Sequence, residues 1–177
     1  MFKLIYPHAI VESVHDIDFN EIKFQGYKAI IFDIDATLVP HGADTNERID
    51  ALFSEIHQLG LKTLLLSNNS AERISEFNRN IDTTFIPLAN KPYRPNFLKA
   101  LEMLEVSKDE VLLIGDQLFT DVLGANLCGI KSILVKYLLH EGETKIGKKR
   151  KLEAILLKYY KLRKSYFTKL NNIEKRV

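Results

Sequence analysis

The sequence predicts an α/β fold, a parallel β-sheet with helices on both faces, and three observations carry that prediction. Short apolar runs (KAIIF, LKTLLLS, TTFIPLA, VLLIGD and KSILV) alternate along the chain with segments of helical period. The runs are apolar at nearly every position rather than every second one, as expected of strands buried on both faces. Polar residues able to do chemistry stand directly behind the runs, at the strand ends where ligands bind in such sheets.

In chain order, residues 1–27 read as a mixed segment with a short helix near Asn20–Phe24, packed on the core. Residues 28–136 hold the strand–helix alternation and read as one domain. After the KAIIF strand, NERIDALFSEIHQLG predicts a helix with Ile49, Leu52, Phe53, Ile56 and Leu59 on one face and Gly60 as its stop. LKTLLLS is the second strand, and SAERISEFNRN a helix capped by its serine. TTFIPLA is a weaker strand. RPNFLKALEMLE opens with proline in its first helical turn. VLLIGD is a buried strand, TDVLGANLCG a helix with a glycine stop, and KSILV the last strand. Residues 137–177 form a basic, amphipathic helical extension.

Composition narrows the classes. With 46% apolar and 27% charged residues in 177, the chain has the makeup of one globular domain with a sizeable core. No apolar run approaches the roughly 20 residues of a spanning helix. The opening MFKLIYPHAIVESVHD turns acidic and proline-broken too soon for a secretory leader. The single cysteine, Cys128, excludes an internal disulfide framework and is expected to be a small buried residue; cytoplasm is the expected compartment. The net charge of +2 conceals an asymmetry: residues 137–177 carry 12 Lys or Arg against 4 Asp or Glu, so the rest of the chain is acidic. His8, His15, His57 and His140 show no metal-ligand spacing.

The chemistry sits in four clusters. IIFDIDATLVP ends a strand with two carboxylates one residue apart, Asp33 and Asp35, whose repulsion calls for a cation nearby. Ser67, Asn68 and Asn69 follow the second strand, Lys91 the third, and Asp116 the fourth, with Asp121 one turn further on. Each alone is an ordinary cap or loop residue; four in this order at successive strand ends point to one rim.

This order is Asp33-Ile34-Asp35-Ala36-Thr37, Ser67-Asn68-Asn69, Lys91-Pro92, and Gly115-Asp116 through Thr120-Asp121. It resembles the haloacid dehalogenase (HAD) superfamily of phosphohydrolases, over about residues 28–136. More narrowly, SNN, NKP and GDQLFTDVLGAN look like its small subclass IIIA phosphatases and their phosphatidylglycerophosphate-phosphatase-like branch. The resemblance implies a Rossmann-like sheet and a phosphate monoesterase that works through an aspartyl phosphate. Asp33 matches the nucleophile and Asp35 the general acid/base. Mg²⁺ is the implied cofactor, held by Asp33, Asp116 and the backbone carbonyl of Asp35, with Asp121 in support. Ser67, with amides near Asn68 and Asn69, matches the phosphate cradle; Lys91 neutralises charge, and Thr37 positions the loop. Ala36 departs from the pattern, standing where the superfamily usually has Gly and this branch often Asn.

The gaps speak to the substrate, a phosphorylated molecule and by resemblance a phospholipid. Between Asp33 and Ser67 lie 33 residues, and between Ser67 and Lys91 lie 23, which the predicted helices and strands occupy, leaving no room for a cap domain. An open site suits a large or surface-borne phosphate ester, and His41 offers a headgroup contact, though an exposed loop histidine is its plainer reading. In the tail, Leu152, Ile155, Tyr159, Leu162 and Tyr166 share one helical face. Packing on its own domain or on a second copy is the commonest meaning of such a face. Contact with an anionic bilayer at the inner face of the membrane is the second. Nucleic-acid binding lacks a reading motif. The rival functions are a phosphatase of a soluble metabolite, a phosphoacceptor domain of the response-regulator kind, and a scaffold with a silent site. The DxDxT spacing and the GDxxxTD cluster argue against the phosphoacceptor domain, and the complete set of catalytic groups argues against the scaffold.

Overall fold

The computed structural model describes residues 2–143, 147–162, 170 and 173–175. Six strands, β1 (Ala9–Val11), β2 (Ala29–Phe32), β3 (Lys62–Leu66), β4 (Thr84–Ile86), β5 (Val111–Gly115) and β6 (Lys131–Val135), form one sheet in the order β1-β6-β5-β2-β3-β4. Every pairing is parallel. This is the expected Rossmann-like α/β fold. The helices are α1 (Phe19–Phe24), α2 (Glu47–Gln58), α3 (Ala71–Phe77), α4 (Arg94–Leu104), α5 (Leu123–Leu127) and α6 (Lys148–Leu162).

Side chains alternate across the sheet and divide the core in two. Ile30 and Phe32 of β2 face a cluster closed by Phe19, Ile22, Ile49, Phe53, Ile74 and Phe77 from α1, α2 and α3. Ala29 and Ile31 face the other, closed by Phe97, Ala100, Leu104 and Ala125 from α4 and α5. Ser70 caps α3, as the sequence predicts, and the Asn46 side chain caps α2 by accepting from the Arg48 and Ile49 amides.

Two features differ from the sequence reading. β1 is an unpredicted strand that pairs with β6, from Ala9 opposite Ile133 to Val11 opposite Val135. The helix expected over TDVLGANLCG is split: Leu118–Val122 is a π-helical turn that runs into α5.

The third difference is a correction. Leu152, Ile155 and Tyr159 share a face, but that face points outward, with exposures of 50, 66 and 47%. The packed face carries Glu153 and Tyr160, 4 and 1% exposed, with Leu156 and Leu157 against Leu118, Val122 and Leu134. The physical reason is polar: Arg150 and Glu153 find partners on the sheet side, so the inward face holds an ion pair that apolar periodicity does not register. Tyr160 stacks on Tyr6 at 4.5 Å and donates its hydroxyl to the Pro7 carbonyl at 2.8 Å. Leu162's side chain and Tyr166 lie outside the described residues. No described helix is long and apolar enough to cross a membrane.

Candidate active site

The strand order decides where the site forms. From β2 the chain runs outward to β3 and β4, then returns to lay β5 on the other side of β2. Loops leaving two adjacent strands in opposite directions open a crevice at that switch point. Asp33 follows β2 and Asp116 follows β5, so residues far apart in sequence become neighbours.

Asp33, Asp116 and Asp121 are all buried, and one carboxylate oxygen from each lies within 4.8 Å of the others. Lys91 bridges two of them, its Nζ donating to Asp33 Oδ1 at 2.5 Å and to Asp121 Oδ1 at 2.6 Å. The Thr37 hydroxyl lies 3.3 Å from both Asp33 Oδ2 and Asp116 Oδ1, a donor shared by the two carboxylates. Asp121 is oriented further by the Gln117 amide, which donates to Oδ2 at 3.0 Å. The π-helical turn, a form enriched at functional sites, carries Asp121 inward.

Electrostatics agree with the geometry. Burial pushes the Asp33 carboxyl up to about 6; the Lys91 charge opposes the shift and the Asp121 charge adds to it. Burial, with the charges of Asp121 and Asp33, also raises Asp116 well above the usual carboxylate range, against the pull of Arg150. Lys91 is held above its ordinary value: burial opposes its charge, and Asp121 and Asp33 more than offset that. Three crowded, buried carboxylates whose ionisation is penalised are a donor set that fits a hard dication with oxygen ligands.

Asp35 stands apart from this trio. Its Oδ1 accepts from the Gly42 amide at 2.9 Å, and its Oδ2 from Asn69 Nδ2 at 2.7 Å, with His41 Nδ1 at 3.5 Å. Ser67 is buried at the end of β3, where its Oγ accepts from the Asn69 amide at 3.2 Å. Asn68 ties two loops together, its Oδ1 accepting from the Lys91 amide at 2.9 Å. Ala36 adopts φ +62°, a left-handed conformation that costs a residue with Cβ about 1–2 kcal/mol. Glycine, and to a lesser degree asparagine, adopts that conformation at lower cost. A cavity of about 210 Å³ opens beside Asp35 and Ala36, walled by His41, Tyr137, Leu138 and Arg150 among others.

Two contributors escaped the sequence reading. Asn69 was expected to offer its backbone, yet its side chain holds Asp35. Arg150, taken for one more charge of the tail, reaches the site from α6. Its Nη2 pairs with Asp116 Oδ2, and its Nη1 donates to the Asp116 carbonyl at 2.8 Å. The sequence feature that sets Arg150 apart is Glu153, three residues on and the sole acid between Glu143 and Glu174, although such a pair is ordinarily a surface feature of a helix.

An α/β sheet bearing this arrangement at the ends of its central strands has the groups of a site that could hold a divalent cation. The chain belongs to the HAD-like hydrolase family, and its enzymatic kind is that of a phosphatase. A HAD-hydrolase-like family model matches residues 88–154. The probable phosphatase YqeG of Bacillus subtilis is 35% identical over 134 residues, 75% of this chain and 78% of that protein. Solved structures share the fold at lower identity. A haloacid dehalogenase-like hydrolase of Brucella suis 1330 gives a TM-score of 0.50 at 14% identity, covering 69% of this chain and 93% of that one. The cobalt-bound deoxy-D-mannose-octulosonate 8-phosphate phosphatase of Haemophilus influenzae gives 0.51 at 15%, covering 77% and 90%.

Proposed function

We propose that the chain is a Mg²⁺-dependent phosphomonoesterase that works through a phosphorylated Asp33. The observation that carries this reading is the meeting of Asp33, Asp116 and Asp121 around Lys91, with Asp35 held separately by Asn69 and Gly42. Mg²⁺ would be held by the Asp33 and Asp116 carboxylates and the Asp35 carbonyl, with Asp121 in support, and supplies the charge that lets an anionic nucleophile meet an anionic ester.

The chain's own groups divide the remaining work. Asp33, ionised at neutral pH despite its raised pKa, attacks phosphorus and displaces the alcohol. Asp35, on the side of the cavity, hands a proton to the departing alkoxide and then takes one from the water that cleaves the aspartyl phosphate. Lys91 and the Ser67 hydroxyl balance and orient the phosphoryl oxygens, with Asn68 setting the Lys91 loop. Thr37 holds Asp33 and Asp116 in register.

The substrate we favour is a phospholipid monophosphate of the phosphatidylglycerophosphate type, met by a capless cytoplasmic enzyme at the inner face of a membrane. Three things support it: the wording of the motifs, the single helices α2 and α3 where a cap would be inserted, and α6. That helix turns Leu152, Ile155 and Tyr159 outward beside the exposed Lys148, Lys151 and Lys158, and such a face suits an anionic lipid surface better than a second copy with the same charge. The test is phosphate release with Mg²⁺ across phosphatidylglycerophosphate in vesicles, sugar phosphates, nucleotides and phosphopeptides. Preference for the vesicle substrate supports the reading, and preference for a soluble metabolite removes the lipid assignment. Asp33→Asn abolishes turnover with the fold intact; parental turnover by that variant refutes the nucleophile assignment.

A further inference from the structure

The tail helix reaches the metal-binding carboxylates through one side chain. Arg150 spends its guanidinium on two groups of a single residue: Nη2 on Asp116 Oδ2 and Nη1 on the Asp116 main-chain carbonyl at 2.8 Å. A fork that spans a residue's carboxylate and its own backbone carbonyl fixes the side-chain torsions of that residue, which a single contact does not. The oxygen left over, Oδ1, is the one that shares the Thr37 hydroxyl with Asp33 Oδ2. Arg150 thus occupies the outer oxygen of Asp116 and turns the inner one towards Asp33.

The guanidinium is itself held. Nη1 also reaches Glu153 Oε2 at 3.4 Å, while Glu153 Oε1 accepts from the Phe119 amide at 3.3 Å. The plane lies over the Tyr137 ring, 5.1 Å from its centroid. Arg150 and Glu153 therefore clamp the turn from Asp116 to Phe119 that delivers both Asp116 and Asp121.

We infer that Arg150 is a positioning residue of the active site, supplied by α6, which presents Asp116 Oδ1 for a divalent cation. The inference rests on the Mg²⁺ reading given above. It makes the C-terminal helix a working part of the metal site and not merely a support for the sheet edge. Outer partners of ligating carboxylates are worth about 10–100-fold in metal affinity.

The experiment is titration calorimetry of the full-length chain with Mg²⁺ alone, comparing the parent with Arg150→Lys. Lysine keeps the positive charge, so repulsion of the incoming cation is unchanged, but it lacks the two-point fork. The expected result is a Mg²⁺ dissociation constant raised about tenfold or more, with the circular dichroism spectrum unaltered. A helix-docking role alone predicts a lower melting temperature in chelator and parental Mg²⁺ affinity, and that outcome overturns the inference while leaving the phosphatase reading in place. Failure of the parent to bind Mg²⁺ overturns both.

Discussion

Replacing Lys91 by methionine removes the ammonium that bridges Asp33 and Asp121 and leaves their buried carboxylates facing each other. The lysine side chain is 3% exposed and its partners 9 and 1%, so water cannot stand in for the ammonium. At an effective dielectric of 20, each contact of 2.5–2.6 Å is worth about 6 kcal/mol of gross attraction. Most of that only offsets the cost of burying three charges. Removing one partner of a buried pair typically costs about 3–5 kcal/mol, and proton uptake caps the loss. Because Asp33 already titrates at about 6 with Lys91 present, it becomes neutral near pH 7 once the lysine is gone. Lys91→Met is therefore expected to lose about 3–5 kcal/mol at pH 7.5 and distinctly less at pH 5.5. Urea unfolding in EDTA at both pH values measures it. A loss under about 1 kcal/mol at pH 7.5, or one independent of pH, would refute the electrostatic account of the site.

Other perturbations separate the contributions. A Cβ at Gly115 would sit 2.6 Å from Asp121 Cβ and Cγ, so Gly115→Ala pushes Asp121 off Lys91; turnover should fall at least tenfold with helix content retained, and parental kinetics would contradict the close approach. Ala36→Gly relieves the left-handed strain against a larger unfolded-state entropy, for a net gain of up to about 1 kcal/mol in chemical denaturation; a destabilised variant argues that the methyl group packs usefully. The raised pKa of Asp33 gives a pH signature. The metal-free native state holds a proton that the unfolded chain releases, so stability falls as pH rises from about 4 through about 6. Measured in EDTA against Asp33→Asn, which lacks this proton, the parent should lose up to about 3 kcal/mol over that window; a difference that does not change with pH contradicts the shift.

Much of this molecule is legible in its residues. Four of the apolar runs are strands because consecutive apolar residues such as Val, Ile and Leu suit a sheet covered on both faces, and the weaker fifth, Thr84–Ile86, takes its place at the edge beside β3. The helix over Glu47–Gln58 follows from its apolar period and the glycine stop at Gly60. The chemistry at the strand ends was readable because four polar clusters follow successive strands in one order, although each alone is an ordinary cap or loop residue. β1 was not, since three residues, Ala9–Val11, carry too little pattern, and their role is set by the open edge of β6. The π-helical turn differs from an α-helix in hydrogen bonding rather than composition, so TDVLGANLCG could not announce it. The tail misled for a related reason. Apolar period identified a face of α6 correctly, but which face packs was decided by where Arg150 and Glu153 found partners.

The adjacency of β2 and β5 governs more than where the site forms. The β2–β5 pairing brings Asp33 and Asp116 together across all the helices and strands between them, a long loop to close during folding. β2, β3 and β4 carry Asp33, Ser67 and the Lys91 loop, while Asp116 and Asp121 follow β5. The carboxylate cluster is therefore complete only where the long-range β2–β5 pairing is made, so it reports on the whole sheet and not on a local segment.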